Sequence, residues 1–526
     1  MATSAPDPAQ APEPDPDQAH APAPAQAPDG GATIRTDVPA RLDRLPWSRW
    51  HWMIVIGLGT VWILDGLEVT IVGNIAGRLS EPGSGLAISS SQITGLAAAL
   101  YVTGACVGAL FFGWLTDRYG RKKLFMVTLV VYLSATAMTA LSFAPWWFFL
   151  FRFLTGFGIG GEYAAINSAI DELIPSRFRG RVDLTINGSY WLGAIGGALL
   201  SIVALNTNIF AQDVGWRLTF ALGVVLGLVI LLVRRHVPES PRWQFIHGYA
   251  DEANTLVGDV EQRIEAEKGR ELPPVDREIA IHQRASIGFG LIARTVFVRY
   301  PKRAVLGLSL FIGQAFLYNA ITFGFGAILI TFYHVDSGHT GYYFAVIAAG
   351  NLVGAVLLGP LFDILGRRIM ITSTYLLSGV LLFLTAWLFD RGSLNATTLT
   401  ACWCVVLFFA SAGASSAYLT VSEIFPMETR AMAIAFFYAI GTAAGGITGP
   451  LVFSDLTSSG KVGDTVLAFS IGAALMCAGG LVAGFLAVDA AQKSLEDIAE
   501  PLSSAEPAKT ASPTGSSGRR PSPGRA

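Results

Sequence analysis

The chain has 526 residues, of which 52% are hydrophobic and only 14% are charged, and its formal net charge at pH 7 is −2. Soluble domains carry roughly 25% charged residues, so this composition indicates a polytopic membrane protein and excludes a large soluble enzyme. The near-neutral charge gives no sign of a nucleic-acid partner. The four cysteines lie in apolar runs without the spacing of a redox or zinc motif, and we expect no metal and no cofactor.

Both ends of the chain are polar and lack hydrophobic periodicity. Residues 1–33 consist mainly of Ala, Pro, Asp and Gln, and residues 489–526 are dominated by Pro, Ser and Gly beyond Pro501. Such segments bury too little apolar surface to fold alone, so we predict disordered tails over 1–45 and 489–526. A basic region followed by an apolar region is missing near the start, and we expect no cleavable signal peptide.

Twelve apolar runs lie between the tails, each long enough to cross a bilayer, which takes roughly 20 residues. The first six are approximately 52–76, 91–115, 123–143, 146–170, 183–205 and 216–234. The second six are approximately 303–333, 341–362, 369–389, 397–421, 431–453 and 464–488. We therefore predict an N-terminal half over 46–234 and a C-terminal half over 303–488. The polar stretch between them, 235–302, has the patterning of short amphipathic helices.

Basic residues in the short loops fix the expected orientation. One side carries Arg118 to Lys123, Arg177 to Arg181 and the pair Arg367 and Arg368, whereas the other carries few cations. The basic side should be cytoplasmic. This places the linker and both termini inside the cell, and it predicts a multi-pass protein of the cell membrane.

Two sequence patterns recur in the same order in both halves. Gly113 to Lys122 (GWLTDRYGRK) is matched by Gly359 to Arg368 (GPLFDILGRR), and Glu172 to Arg179 is matched by Glu423 to Arg430. Each pattern follows the second or the fourth span of its half. The sequence therefore predicts an all-α membrane fold of twelve transmembrane helices, in two six-helix halves related by a parallel repeat.

These motifs resemble those of the major facilitator superfamily, whose hallmark is the Gly-x-x-x-Asp-Arg-x-Gly-Arg-Lys loop after the second span. Pro238 to Trp243 (PESPRW) and Arg152 to Glu162 (RFLTGFGIGGE) are similar to sugar-porter signatures. Asp65-Gly-Leu-Glu68 looks more like relatives that carry aromatic acids, nicotinate and other organic ions, and like synaptic-vesicle-2-type proteins. The resemblance covers roughly residues 45–490 and implies transport by alternating access.

Charged residues at the cytoplasmic helix ends form a matched set in the two halves. The set comprises Asp117, Arg121, Glu172 and Arg179 in one half, and Asp363, Arg367, Glu423 and Arg430 in the other. The resemblance implies that they form networks that hold the outward-facing state closed on the cytoplasmic side. The alternative is charge that only determines topology, although acidic residues add nothing to a positive-inside signal.

Four charged residues lie well inside the predicted spans, where charge is costly and usually functional: Asp65, Glu68, Arg152 and Glu162. Asp65 and Glu68 share one face of the first span. Counting 1.5 Å per residue places Glu68 and Arg152 at similar depths, roughly 10 Å below the outer surface. We predict that a proton competes with Arg152 for Glu68. Asp65 lies one turn deeper, as a candidate coupling or substrate residue, and Glu162 is a second proton site, a substrate contact or a structural hydrogen-bonding partner.

Neutral polar residues supply further candidates for the substrate site. The resemblance places Asn187, Gln314, Asn319 and Tyr418 where sugar porters bind sugar with Gln, Gln, Asn and Trp. Two of the four differ in type, which weakens the case for a hexose. The alternative for each residue is an interhelical hydrogen bond, worth about 0.6 kcal/mol on average.

The sequence thus predicts a secondary transporter, not an enzyme, that moves a small polar organic solute such as a sugar or organic acid by proton symport. The expected partners are the lipid bilayer, protons and the substrate, and a monomer is expected. A proton-independent facilitator or exporter of the same fold is the first alternative. A non-transporting membrane receptor is the second, although repeated loop motifs serve no purpose in a static scaffold.

Overall fold

A computed structural model of the chain describes residues 33–86, 88–89, 92–234, 238–275, 277–282, 289–336, 339–426 and 429–499. The rest of the predicted disordered tails, 1–32 and 500–526, lies outside the described residues. The described part consists of long helices and one two-stranded sheet.

The N-terminal segment is ordered from residue 33, so the prediction of disorder over 1–45 is wrong for 33–45. Thr33–Thr36 form strand β1 and Val38–Asp43 form helix α1. Val38 and Leu42 are buried, because the rest of the protein covers this short helix. Burial against a distant part of the chain supplies the stability that the local composition lacks.

Six long helices follow, and their bounds lie within a few residues of the predicted runs. They are α2 (Arg49–Leu79), α3 (Ala98–Tyr119), α4 (Arg121–Ala140), α5 (Pro145–Leu173), α6 (Arg179–Ala204) and α7 (Gln212–Arg234). A π-helical turn, Gln92–Ala97, precedes α3. Gly120, between α3 and α4, has a φ of 89°, a conformation that glycine adopts at little cost.

The linker between the halves contains α8 (Pro241–Ile246), α9 (Ala250–Lys268), strand β2 (Ile279–His282) and α10 (Phe289–Arg294). Helix α9 is amphipathic, and the buried residues of its apolar face are Ala253, Val257, Val260 and Ile264. Strand β2 pairs antiparallel with β1, with Thr33 opposite His282. This pairing joins the N-terminal segment to the linker, and its two strands are too far apart in sequence for a local signal.

The C-terminal half repeats the pattern. Its helices are α11 (Pro301–Tyr333), α12 (Thr340–Ile364), α13 (Arg367–Asp390), α14 (Ala396–Ile424), α15 (Arg430–Gly441), α16 (Thr448–Ser458) and α17 (Val462–Leu486). A π-helical turn, Thr442–Ile447, joins α15 to α16 into one span. Gly366 has a φ of 91° and occupies the position that matches Gly120.

The chain is also ordered just after α17, so the prediction of disorder over 489–526 is wrong for 489–499. Helix α18 (Leu495–Ile498) ends this segment, and its Leu495 is buried. Arg303 Nη2 donates to the carbonyl oxygen of Ile498 at 3.0 Å. Residues 33–48, the linker and 487–499 therefore lie at one end of the helix bundle, which we call the termini face.

Eleven helices of the described residues are long and apolar enough to cross a membrane. The remaining predicted span, 146–170, is α5, whose 29 residues are also sufficient in length. Helix α5 is less apolar because it carries Arg152, Glu162, Asp171 and Glu172. The protein is therefore a multi-pass, all-α membrane protein, as predicted.

Glycines bring α5 against α3 and so fix the position of the charged residues on α5. A Cβ atom at Gly156 would overlap the carbonyl of Tyr101, and one at Gly160 would overlap the carbonyl of Ala105. Such close backbone approach is typical of small residues four apart in membrane helices. Between the halves, α6 packs on α12 and α3 packs on α15.

Candidate functional site

An acid–arginine pair is buried within the N-terminal half. Arg152 Nη1 on α5 donates to Glu68 Oε1 on α2 at 2.5 Å, and Thr136 Oγ1 on α4 donates to Glu68 Oε2 at 2.9 Å. Glu68 is 3% exposed and Arg152 is 1% exposed. The two residues that the sequence placed at one depth are therefore in direct contact. Removing one partner of such a buried pair costs about 3–5 kcal/mol, because the remaining charge is left uncompensated.

Asp65 lies one helical turn from Glu68 and binds two tyrosines. Tyr101 Oη donates to Asp65 Oδ1 at 2.8 Å, and Tyr163 Oη donates to Asp65 Oδ2. The guanidinium carbon of Arg152 lies 4.9 Å from the centre of the Tyr101 ring, within the range of a cation–π contact. Tyr101 therefore contacts both the Glu68–Arg152 pair and Asp65.

A central cavity of about 150 Å³ lies between the two halves. All five residues predicted to bind substrate line it: Asp65 and Asn187 from the N-terminal half, and Gln314, Asn319 and Tyr418 from the C-terminal half. Glu68, Arg152 and Glu162 lie outside this lining. Apart from Asp65, which is a candidate for both roles, the coupling candidates are thus separate from the substrate candidates, and Tyr101 contacts both groups.

Aromatic rings form much of the cavity wall, which the sequence analysis did not identify. Trp62 stacks on Tyr163 with ring centres 4.6 Å apart and planes 8° apart, and Tyr438 meets Tyr163 edge-on at 4.9 Å. Trp191 of the N-terminal half lies 5.4 Å from Tyr318 of the C-terminal half. Aromatic residues are common throughout the spans, so their presence alone did not identify the cavity wall. The one available signal was Trp62, which lies three positions before Asp65 and therefore on the same side of α2.

Two amides of the cavity wall also make hydrogen bonds within the protein. Asn187 Nδ2 donates to Asn167 Oδ1 at 3.1 Å and to the Asp183 carbonyl at 2.9 Å, and Asn319 Nδ2 donates to the Ala315 carbonyl at 2.9 Å. The hydrogen bond from Asn187 joins α6 to α5. Asn187 therefore combines an interhelical role with a place in the cavity wall.

Glu162 is fully buried on α5, next to Tyr163. Its Oε1 accepts a hydrogen bond from Thr128 Oγ1 of α4 at 3.2 Å. Of the three roles considered for Glu162, a substrate contact receives no support from this position. A structural hydrogen-bonding partner and a second proton site remain compatible with it.

On the termini face, each half contains a matching arginine–glutamate pair. Arg121 Nη1 lies 2.5 Å from Glu172 Oε2, and Arg367 binds Glu423 through Nε and Nη2, each at 2.9 Å. The helix that begins at each arginine is capped in the same way. In the N-terminal half, Glu239 Oε1 accepts a hydrogen bond from the backbone amide of Arg121 at 3.0 Å.

The matching cap in the C-terminal half comes from Asp489, whose Oδ1 accepts from the Arg367 amide at 3.1 Å. Carboxylates are favoured at helix N-termini because they satisfy free amides and face the positive end of the helix dipole. The cap residues Glu239 and Asp489 were not predicted. Glu239 lies within the Pro238 to Trp243 motif, and Asp489 follows the last span of the C-terminal half 250 residues later, at the matching place in the repeat.

Other contacts on the termini face join the two halves. Asp363 of α12 accepts from the backbone amides of Gly180 at 3.0 Å and Arg181 at 2.9 Å. Arg179 Nη1 lies 3.8 Å from Glu423 Oε1, and Arg430 Nη1 lies 3.8 Å from Glu172 Oε1. These contacts close the termini face between the halves. The side chain of Asp117, the remaining predicted member, lies outside the described residues.

The opposite face of the bundle is open between the halves. A second cavity of about 540 Å³ lies there, with a wall that includes Asn74, Arg78 and Asn206 from one half and His339 and Tyr342 from the other. The structure is thus closed on the termini face and open on the opposite face. The central cavity lies between them.

Comparison with known proteins places this architecture among characterised relatives. The family model described as "Sugar (and other) transporter" matches residues 49–502. The niacin transporter NiaP of Acinetobacter baylyi is 26% identical over 425 residues, which cover 80% of this chain and 90% of NiaP. The 4-hydroxybenzoate transporter PcaK of Pseudomonas putida is 26% identical, over 86% of this chain and 96% of PcaK.

Among solved structures, the proton:xylose symporter XylE bound to 6-bromo-6-deoxy-D-glucose superposes with a TM-score of 0.69. The match covers 85% of this chain and 98% of XylE, at 18% sequence identity. At that identity the likeness is evidence for the fold alone. XylE belongs to the major facilitator superfamily, so the predicted twelve-helix architecture with two halves agrees with this neighbour.

Proposed function

The chain belongs to the sugar (and other) transporter family of the major facilitator superfamily, and from this premise we propose that it imports a small organic solute by proton symport. The protein is a membrane transporter of sugars or related metabolites, not an enzyme. The proposal adds the direction of transport, the coupling ion and the class of solute. In it the termini face is cytoplasmic, the membrane is the cell membrane, and the protein works as a monomer.

The buried Glu68–Arg152 pair is the observation that carries the proton coupling. Arg152 contacts Glu68 where both side chains are buried, so a proton that neutralises Glu68 would leave Arg152 without its partner. A released Arg152 must find another acceptor. Tyr101 lies directly beneath it and binds Asp65, so the change reaches the cavity wall.

The shape and lining of the central cavity support a small ring-shaped solute with polar substituents. A volume of about 150 Å³ admits one ring, and Trp62, Tyr163 and Tyr438 offer aromatic faces and edges. Stacking of this kind is worth about 0.5–1.5 kcal/mol beyond burial. Asn187, Gln314 and Asn319 place amides around the same space, which suits hydroxyl or carboxyl groups at the rim of a ring.

The arrangement of the two faces supports alternating access in the proposed orientation. Contacts between Asp363 and α6, and between Arg179 and Glu423, hold the cytoplasmic face closed while the outer cavity admits solute. Solute and proton binding would favour rocking of the halves. That motion must break the inter-half contacts, whereas Arg121–Glu172 and Arg367–Glu423 stay within their own halves.

Uptake into proteoliposomes tests the proposal. Radiolabelled niacin, 4-hydroxybenzoate and xylose are offered with and without an inward proton gradient. We expect one of these three solutes to accumulate inside the proteoliposomes only when the proton gradient is present. Glu68→Gln should abolish accumulation while leaving exchange of solute across the membrane. Glu252→Gln is the matched control, because Glu252 is an exposed acid on α9 and lines neither cavity.

Accumulation by Glu68→Gln at the wild-type level would contradict proton coupling through this residue. Gradient-independent uptake by the wild-type protein would instead identify a facilitator.

A further inference from the structure

Asp183 is a buried acid that the transport scheme above does not use. It lies near the start of α6 and is fully buried. Among the described residues, neither of its carboxylate oxygens accepts a hydrogen bond of good geometry, although the Asn187 amide is close enough to act on the carboxylate, and no cationic side chain forms an ion pair with it. The four other buried acids nearby each have a guanidinium group within 3.8 Å; they are Asp171, Glu172, Asp363 and Glu423.

The charged groups that act most strongly on Asp183 do not neutralise the negative charge that it would carry if ionised. Two of them are carboxylates, Asp171 on α5 and Glu423 on α14. The strongest cation is Arg367, at the start of α13, and its guanidinium group already binds Asp363 and Glu423.

Two further helices, α2 and α7, also pack against α6. Their titratable residues are not among the groups that act most strongly on Asp183; those with described side chains are Arg49, His51, Asp65, Glu68, Arg78, Asp213 and Arg217. On α12, Asp363 faces the amides of Gly180 and Arg181 instead. The environment of Asp183 is therefore dry and has an excess of negative charge.

An ionised carboxylate without a partner is strongly disfavoured in such a place, whereas a neutral carboxylic acid is accommodated. We propose that Asp183 is a second proton-binding site, which holds a proton while the termini face is closed and releases it to the cytoplasm when that face opens. In the release step the carboxyl O–H bond breaks, the proton passes to water, and the carboxylate becomes hydrated. The direction of release rests on the proposed orientation, but the site itself does not depend on Glu68.

The position of Asp183 links this proton to both the gate and the cavity. Three residues earlier on the same helix, the Gly180 amide makes the inter-half bond to Asp363. One turn later, Asn187 lines the central cavity and donates to the backbone carbonyl of Asp183. Opening the gate therefore brings water to the first turns of α6, where Asp183 lies.

The sign of the pH effect follows from this linkage. If the closed state binds one more proton than the open state, raising the cytoplasmic pH favours opening. The ratio of open to closed protein then rises up to tenfold per pH unit. Asp183→Asn, which mimics the protonated acid, should remove this slope and favour the closed state at every pH.

Two measurements on the full chain test the proposal. Spin labels at Tyr119 and Leu365, exposed residues at the ends of α3 and α12, report opening of the termini face in lipid nanodiscs across a pH series. The four native cysteines are replaced first. Infrared difference spectra report the C=O band of a protonated carboxyl group, which Asp183→Asn should lack in the closed state. Asp183→Glu should restore the pH dependence, and Asp213→Asn, at an exposed acid on α7, should leave it unchanged.

The outcome separates this site from the Glu68 pair. Glu68→Gln should keep the opening slope that Asp183→Asn loses, even if Glu68 proves to have no part in transport. An unchanged slope and an unchanged carboxyl band in Asp183→Asn would overturn the proposal. If Asp183→Asn does not fold, the infrared spectrum of Asp183→Glu decides, since a carboxyl C=O band unchanged in frequency from wild type would equally overturn the proposal. Opening that follows sodium concentration instead of pH would overturn it as well.

Discussion

The guanidinium group of Arg152 lies over the ring of Tyr101, 4.9 Å from its centre, and the hydroxyl of the same tyrosine donates to Asp65. One side chain thus contacts the proposed proton site and the proposed solute site. A change in the Glu68–Arg152 pair cannot leave Tyr101 unaffected, because Arg152 loses the partner that holds it in place. Tyr101 is therefore one described route between the two proposed functions.

Tyr101→Phe should weaken solute binding while leaving the fold intact. The substitution keeps the ring beneath Arg152 but removes one of the two hydroxyls that Asp65 accepts from. Loss of a hydrogen bond costs about 0.5–1.5 kcal/mol, which corresponds to a rise in Kd of roughly 2- to 12-fold. Isothermal titration calorimetry of the detergent-purified protein measures this change in Kd. Tyr333→Phe, at a half-buried tyrosine at the end of α11, is the control and should bind normally.

Gly180→Ala should destabilise the closed termini face. A Cβ atom at Gly180 would overlap Asp363 and the guanidinium group of Arg367, so the contact between halves must loosen. We expect the open form to gain at least tenfold in population, measured by labelling of a cysteine introduced at Leu184, which is fully buried beside Gly359 of α12 while the face is closed. Gly196→Ala on the same helix is the control, because the nearest atom to its new Cβ is 4.0 Å away. Equal labelling of the two variants would contradict the role assigned to this contact.

Trp62→Leu should reduce solute affinity, because the Trp62 indole and Tyr163 ring form the stacked part of the cavity wall. A loss of about 1 kcal/mol is expected, equivalent to roughly fivefold in Kd, and Trp62→Phe should recover most of it. Equilibrium binding of labelled solute measures the effect. Trp52→Leu is the control, since Trp52 lies on the same helix but is 54% exposed. Matching losses at the two positions would indicate a general effect on stability.

Glu261→Gln should loosen the N-terminal segment from the linker. Arg41 Nη2 lies 2.6 Å from Glu261 Oε2, and Arg44 Nη2 lies 2.5 Å from Glu261 Oε1. Burial opposes ionisation of Glu261, but hydrogen bonds from these arginines outweigh it and hold its pKa below the usual range. Amide hydrogen exchange over β1 and α1 should accelerate about fivefold, for a loss of roughly 1 kcal/mol.

The same contact predicts a pH dependence. Because the pKa of Glu261 is lowered in the folded protein, its contribution is present at neutral pH and is lost as the pH falls through that pKa. Exchange in the wild-type protein should therefore approach that of Glu261→Gln in acid. Glu252→Gln, at an exposed position of α9, should show wild-type exchange at every pH.

The sequence alone predicted the membrane-spanning helices and the common depth of Glu68 and Arg152, which form an ion pair in the structure. Apolar runs and the repeated loop motifs placed twelve spans, and counting residues along α2 and α5 placed Glu68 beside Arg152. Both inferences follow from helix geometry, which is local. The five residues predicted to bind solute also line one cavity.

The features that were missed depend on contacts between distant parts of the chain. Residues 33–45 are ordered because β1 pairs with β2 and because Arg41 and Arg44 meet Glu261, and no local pattern marks either contact. The aromatic faces of Trp62 and Tyr163 meet across two helices for the same reason. The lack of an ion-pair partner for Asp183 can be recognised only in the structure, where the nearby guanidinium groups of Arg179 and Arg367 bind other acids.

The most direct test of proton coupling is to follow protons and solute together. Proteoliposomes that contain a pH indicator are given a saturating pulse of the transported solute without an imposed gradient. The account predicts that the wild-type protein acidifies the lumen in step with uptake, and that Glu68→Gln takes up solute to equilibrium without any change in luminal pH. Luminal acidification by Glu68→Gln at the wild-type rate, or uptake by the wild-type protein without acidification, would contradict it.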